Sequence, residues 1–154
     1  MTDMAMHPAW SPTGKLAYAA AGKWGQRIHV DGKAVTPTGL NATAPTFCRH
    51  PNGIRLVYMV WLGERADLVA MGETGGGAYR LTNGMGRNSY PACSPDGRLV
   101  AFFSTRKTGE GPGLYIMRID GRRKYLIPLL EWADVKGITV REGDARRLRR
   151  SPPA

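Results

Sequence analysis

The sequence predicts an all-β chain, a partial β-propeller of about three four-stranded antiparallel blades with a divergent basic C-terminal tail. Three observations predict it. The 154 residues contain 20 glycines and 11 prolines placed between short apolar runs, a density of turn formers that suits many short strands and opposes a helix bundle. A turn signature recurs, with its glycines at Gly14, Gly53 and Gly97 spaced 39 and then 44 residues apart, which is the length of a propeller blade. Each recurrence is followed by the same order of apolar runs and tight turns.

The first strand and turn of each unit read His7-Pro8-Ala9-Trp10-Ser11-Pro12-Thr13-Gly14-Lys15, then Ala44-Pro45-Thr46-Phe47-Cys48-Arg49-His50-Pro51-Asn52-Gly53, then Tyr90-Pro91-Ala92-Cys93-Ser94-Pro95-Asp96-Gly97-Arg98. Pro8, Pro45 and Pro91 lead the units, and Trp10, Phe47 and Cys93 share one repeat position that predicts blade-core side chains. Second strands follow as the apolar runs 16–19, 56–60 and 99–103. Third strands alternate, at 27–30, 67–71 and 114–119. Between third and fourth strands stand Asp31-Gly32-Lys33, Glu73-Thr74-Gly75-Gly76 and Asp120-Gly121-Arg122. Asp-Gly between alternating runs signals a hairpin, because both residues tolerate positive φ. The blades therefore span about 7–39, 44–82 and 90–128 within a repeat region 1–128, and 129–154 form the divergent segment.

Ser-Pro-Asp-Gly is a mechanical turn in which proline fixes φ, aspartate bonds its own backbone and glycine takes the left-handed position. Asp96 is thus structural, not a catalytic acid. No Gly-x-Ser-x-Gly elbow, Gly-x-x-x-x-Gly-Lys-Ser/Thr loop or His-Glu-x-x-His helix is present, and the glycine runs 75–77 and 109–113 lie between strands. No enzyme, cofactor or metal site is expected. His7, His29 and His50 occupy different places in the repeat, so a shared metal is not expected among them. Glu64 and Asp67 straddle a loop around Arg65 and read as solvated. Cys48 and Cys93 lack zinc-ligand spacing and read as half-buried strand residues; only geometry decides whether they pair.

The formal charge is +10. Part of the excess lies in Arg146, Arg147, Arg149 and Arg150, where no aromatic residue interleaves to stack bases, so nucleic-acid binding is disfavoured. The segment 129–136 reads as about two helical turns, 138–149 as one further hairpin, and 129–154 as a partly disordered segment. No apolar run reaches membrane-spanning length. Residues 1–6 do not read as a secretory signal, which predicts a cytoplasmic protein if the chain is complete as written.

The stretches Pro8 to Tyr18 and Tyr90 to Phe102, continued by Leu114 to Gly121 and by Tyr79-Arg80-Leu81-Thr82, resemble TolB-type β-propeller repeats over about residues 7–128. The resemblance implies a bacterial, periplasmic, non-enzymatic propeller of the Tol-Pal system that binds other proteins, a peptidoglycan-associated lipoprotein among them. It also implies a six-blade ring after an N-terminal α/β domain, neither of which this chain supplies. Self-association of two three-blade chains would complete such a ring. Related propellers gate serine peptidases of the prolyl-oligopeptidase kind, which leaves a peptidase propeller and a charge-driven nucleic-acid binder as alternatives.

Trp24 and Trp61 fall at second-to-third strand loops, where Arg106 and Lys107 stand in the third unit. Exposed aromatic and arginine residues favour binding hot spots. These four residues mark the expected partner-facing loops.

Overall fold

The computed structural model describes residues 4–106, 112–120, 127–128, 136, 139–142 and 145–148. The first sheet runs β1 (Ala5–Trp10), β2 (Leu16–Gly22), β3 (Gly25–Val30) and β4 (Lys33–Ala34). The second runs β5 (Ala42–Cys48), β6 (Arg55–Leu62), β7 (Arg65–Gly72) and β8 (Tyr79–Arg80). The third runs β9 (Asn88–Cys93), β10 (Leu99–Ser104), β11 (Gly113–Arg118) and β12 (Ile127–Pro128). Every neighbour in these sheets is sequential and antiparallel, so each is an up-and-down blade. A separate hairpin pairs β13 (Thr139–Glu142) with β14 (Ala145–Leu148), the outcome expected for 138–149. Residues 129–135 and Arg149 and Arg150 lie outside the described residues, while Arg146 and Arg147 belong to β14.

The period-2 alternation of side chains explains how the sheets stack. On β6, Leu56, Tyr58 and Val60 join Ala17, Ala19 and Ile28 of the first sheet. The alternate residues Val57 and Met59 join Val100, Phe102 and Tyr115 of the third. A strand buried on both faces needs a continuous apolar run, which is what 56–60 supply. Burial also pushes the Tyr58 hydroxyl up to about 12, so it stays protonated throughout the neutral range.

The outer sheets each leave large apolar side chains exposed on one face. Trp10 lies opposite Leu16, as Phe47 lies opposite Leu56 and Cys93 opposite Val100. Phe47 and Cys93 pack against neighbouring sheets, whereas Trp10 is 70% exposed. The expected core role of Trp10 is therefore corrected: its repeat position faces a preceding blade, and none precedes it among the described residues. At the other end, Phe103 pairs with Leu114 where Met59 pairs with Leu68. Met59 and Leu68 are buried; Phe103 and Leu114 are exposed. The molecule is an unclosed, partial propeller.

Repeat-level details hold the blades in register. The innermost strands shift register beside the leading prolines, and the residue before each proline, His7, Ala44 or Tyr90, takes φ of 54°, 50° or 52°. Such an extra residue bends the strand and increases its twist. In the Ser-Pro-Asp-Gly turn, Ser94 Oγ donates to Asp96 Oδ1 at 2.5 Å and accepts from the Leu99 N–H at 2.9 Å. That hydroxyl, with the Arg98 N–H, lowers the Asp96 carboxyl below its usual range. Gly97 has φ 68°, and a Cβ there would stand 2.1 Å from the Arg49 backbone. Only glycine lets the third blade's turn seat against the second's. Below these turns a disulfide joins Cys48 to Cys93, with Cα atoms 5.3 Å apart, and so staples the innermost strands of two blades.

Candidate functional site

Because the strands run up and down, the β2–β3 and β6–β7 turns leave the sheets at the same end as the blade-to-blade links 35–41 and 81–87. That end carries Trp24, 65% exposed, Met85, 56% exposed, and Leu62, 46% exposed. Its described charged residues at the surface are Lys23, Arg65, Arg80 and Arg87 against Glu64, with Arg80 paired to the buried Asp67.

A buried polar network fixes this end. Asp67 is fully buried on β7. Its Oδ1 accepts from Thr82 Oγ1 at 2.7 Å and from the Gly84 N–H at 2.9 Å, and its carboxylate also pairs with Arg80. Thr82 Oγ1 in turn accepts from the Leu68 N–H at 2.9 Å. Asn88, buried at the start of β9, donates to the Ala66 carbonyl at 3.0 Å across the blade boundary. Its Oδ1 accepts from Ser104 Oγ at 2.9 Å and from Arg106 Nη2 at 2.6 Å. Among the described residues every buried side-chain nitrogen or oxygen has a partner. A network of this kind is costly to break and holds what it touches in one geometry, here the link 82–87.

Surface contacts then knit the loops into one face. The Trp61 N–H donates to the Asn41 carbonyl at 2.9 Å, and Gln26 N–H to Asn41 Oδ1 at 3.2 Å. Arg87 lies over the Trp61 ring, 5.7 Å from its centroid, while its Nε donates to the Glu64 carbonyl at 2.9 Å. Arg65 Nη1 reaches the Gly84 carbonyl at 3.5 Å. Lys23 sits 5.1 Å from the Trp24 ring centroid.

The sequence-expected residues fare differently. Trp24 stands on the β2–β3 turn and Trp61 near the end of β6, half-buried under Arg87. Lys107 lies outside the described residues. Arg106 is corrected from a partner-facing loop residue to an interior one, 5% exposed. Its guanidinium folds back over Phe102 and Tyr115, 5.7 and 5.2 Å from the ring centroids, because Ser104 and Asn88 offer acceptors there. Burial lowers the pKa of its guanidinium. Asp67 is likewise corrected, from a solvated loop residue to the centre of the network. Its signal was a carboxylate inside the run 66–71 with Thr82 following at the blade's end. Met85 and Arg87 carried no periodic signal at all. The three histidines stay apart: His7 bonds Thr43 at 3.0 Å, His29 stacks on Tyr18, and His50 accepts from the Asn52 N–H.

Sheet order, blade packing and the loop end together define the class, a partial β-propeller with one knitted, partly apolar end face. Comparison with known proteins gives the particular likeness. A crystal structure of TolB from Acinetobacter baumannii matches 82% of this chain and 32% of its own, with a TM-score of 0.66 at 25% identity. A putative TolB from Agrobacterium tumefaciens matches 83% of this chain and 62% of its own, with a TM-score of 0.54 at 21% identity, a likeness of fold alone. Among curated proteins, the uncharacterized protein Atu1656 of Agrobacterium fabrum is 32% identical over 88 residues. Those residues are 56% of this chain and 29% of that protein, so the chain spans under a third of this relative's length. A family described as "Elongation factor SelB, winged helix" matches residues 118–148, which include the β13–β14 hairpin and otherwise lie largely outside the described residues.

Proposed function

We propose that this chain is a non-enzymatic protein-protein interaction module that binds through its loop end. The observation that carries the reading is that Trp24, Leu62 and Met85 stand exposed at one end, where the Asp67 and Asn88 network holds the link 82–87 and Asn41 ties the β2–β3 turn. Exposed aromatic and apolar side chains on a rigid frame suit partner recognition, since little is lost in ordering them on binding. The likeness to TolB supports the class. By the same resemblance the compartment is the periplasm and the partner is of the peptidoglycan-associated lipoprotein kind. The Cys48–Cys93 bond supports that compartment, because disulfides persist where the surroundings are oxidising. Self-association that covers the open faces of the first and third sheets belongs to the same reading, and static light scattering reads it as the mass of two chains against one.

The binding test uses biolayer interferometry with the soluble domain of a peptidoglycan-associated lipoprotein. Saturable binding in the micromolar range is expected, weakened about tenfold by Trp24→Ala, the effect of losing roughly 1.4 kcal/mol. No saturable binding at about 100 μM overturns that partner.

A further inference from the structure

We infer that the loop end takes an acidic peptide segment whose carboxylates alternate with apolar side chains. The inference rests on the reading that this end binds protein, and it names the chemistry of the partner.

Charge and exposure point the same way. With the exposed Arg80 set against the buried Asp67 that it pairs with, three cations, Lys23, Arg65 and Arg87, meet one surface carboxylate, Glu64, among the described residues of this end. Arg87 uses its Nε on the Glu64 carbonyl and Arg65 its Nη1 on the Gly84 carbonyl. A guanidinium has five N–H donors in a fixed fork, so each tether orients the group and leaves donors for a carboxylate. Leu62 is the cross-strand partner of Arg65 and Met85 stands on the link that carries Arg87, both exposed, apolar surfaces that a purely acidic strand would leave unfilled. Methionine adapts its shape to varied apolar partners.

The opposite end is built otherwise. There Lys15 pairs with Asp31 and Arg118 with Asp120, and Asp96 is held by Ser94. Its first turns, 11–15, 49–53 and 94–98, carry none of the large exposed apolar side chains. Lys33, Arg49 and Arg98 are exposed there as well, so the loop end is set apart by the apolar side chains that its turns and links place beside the cations, not by charge alone.

A protein segment fits this end better than a nucleic acid. Single strands are held by successive aromatic platforms along a basic track, and here Arg87 already covers the Trp61 ring, which leaves Trp24. Leu62 and Met85 have no ring to stack on a base.

Fluorescence anisotropy with labelled probes tests the inference. The probes are a decapeptide of alternating Asp and Leu, the same peptide with Lys for Asp, an all-Asp decapeptide and an oligo-dT strand. The Asp-Leu peptide is expected to bind at least about tenfold more tightly than the other three. Arg65→Glu with Arg87→Glu is expected to weaken it at least about tenfold, and Arg98→Glu at the opposite end to leave it unchanged. If circular dichroism shows the double variant unfolded, Lys23→Glu replaces it and must weaken binding at least about threefold. Equal affinity for the all-Asp peptide or oligo-dT overturns the inference, since charge alone then suffices. Equal loss on Arg98→Glu overturns it too.

The two readings fail separately. A peptide that binds as described while the lipoprotein does not overturns only the named partner. Lipoprotein binding that Trp24→Ala weakens, with no Asp-Leu peptide binding, overturns only the acidic chemistry.

Discussion

Asp67→Ala is expected to lower unfolding stability by about 2 to 4 kcal/mol, the cost of leaving several buried polar groups without their acceptor. The carboxylate accepts from Thr82 and from the Gly84 N–H, and pairs with Arg80. Arg80 adds little to the sum, because its side chain is 55% exposed and regains water when released. The loss therefore comes chiefly from the Thr82 hydroxyl, which remains inside, and from the half-buried Gly84 amide. Thr82 also anchors the Leu68 N–H, so β7 and the link 82–87 loosen together. Urea denaturation reads the effect, and a change below about 0.5 kcal/mol would contradict the network's role. The same variant should weaken partner binding, because Met85 and Arg87 are displayed by that link.

Removing the Cys48–Cys93 disulfide is the second large effect. The two residues are 45 apart in sequence, and closing a loop of that length in the unfolded chain accounts for about 4 kcal/mol. The double variant Cys48→Ala with Cys93→Ala is expected to lose that much, less whatever the alanines recover by packing at the ends of β5 and β9. Reduction of the unsubstituted protein with dithiothreitol should produce a similar loss, since the thiols then no longer restrain the unfolded chain. Denaturation midpoints that are identical with and without reductant would contradict the bond's contribution. Thiol labelling under denaturing conditions gives the direct check: an oxidised chain shows no free thiol.

The three sheets were legible because a blade is built from local signals. Proline before each innermost strand, the serine-led turn with its glycine, and alternating apolar runs all act within a few residues, and each recurs. Contacts between distant residues were less legible. Trp10 shows the difference: its repeat position specifies which face of the sheet it occupies, but not whether another blade covers that face. Arg106 looked like a loop residue because it follows a strand end, and only the meeting of β9 and β10 brings Asn88 and Ser104 within its reach. Asp67 was hidden by its charged neighbours Glu64 and Arg65, although the buried residues on either side, Ala66 and Leu68, place it inside the blade. The candidate face was half legible. Trp24 on the β2–β3 turn and Trp61 near the end of β6 hold repeat positions, whereas Met85 and Arg87 come from a link between blades that has no period to betray it. Pairing of Cys48 with Cys93 needed the stacking of two sheets, which no spacing in the sequence encodes.

Hydrogen-deuterium exchange, with and without the bound Asp-Leu peptide, tests the central claim most directly, because it locates the bound surface on the chain itself. Protection is expected at 22–26, 61–65 and 82–87, with none at the opposite turns 49–53 and 94–98. Protection confined to those opposite turns, or to the open face of β1 and β2, would contradict the account.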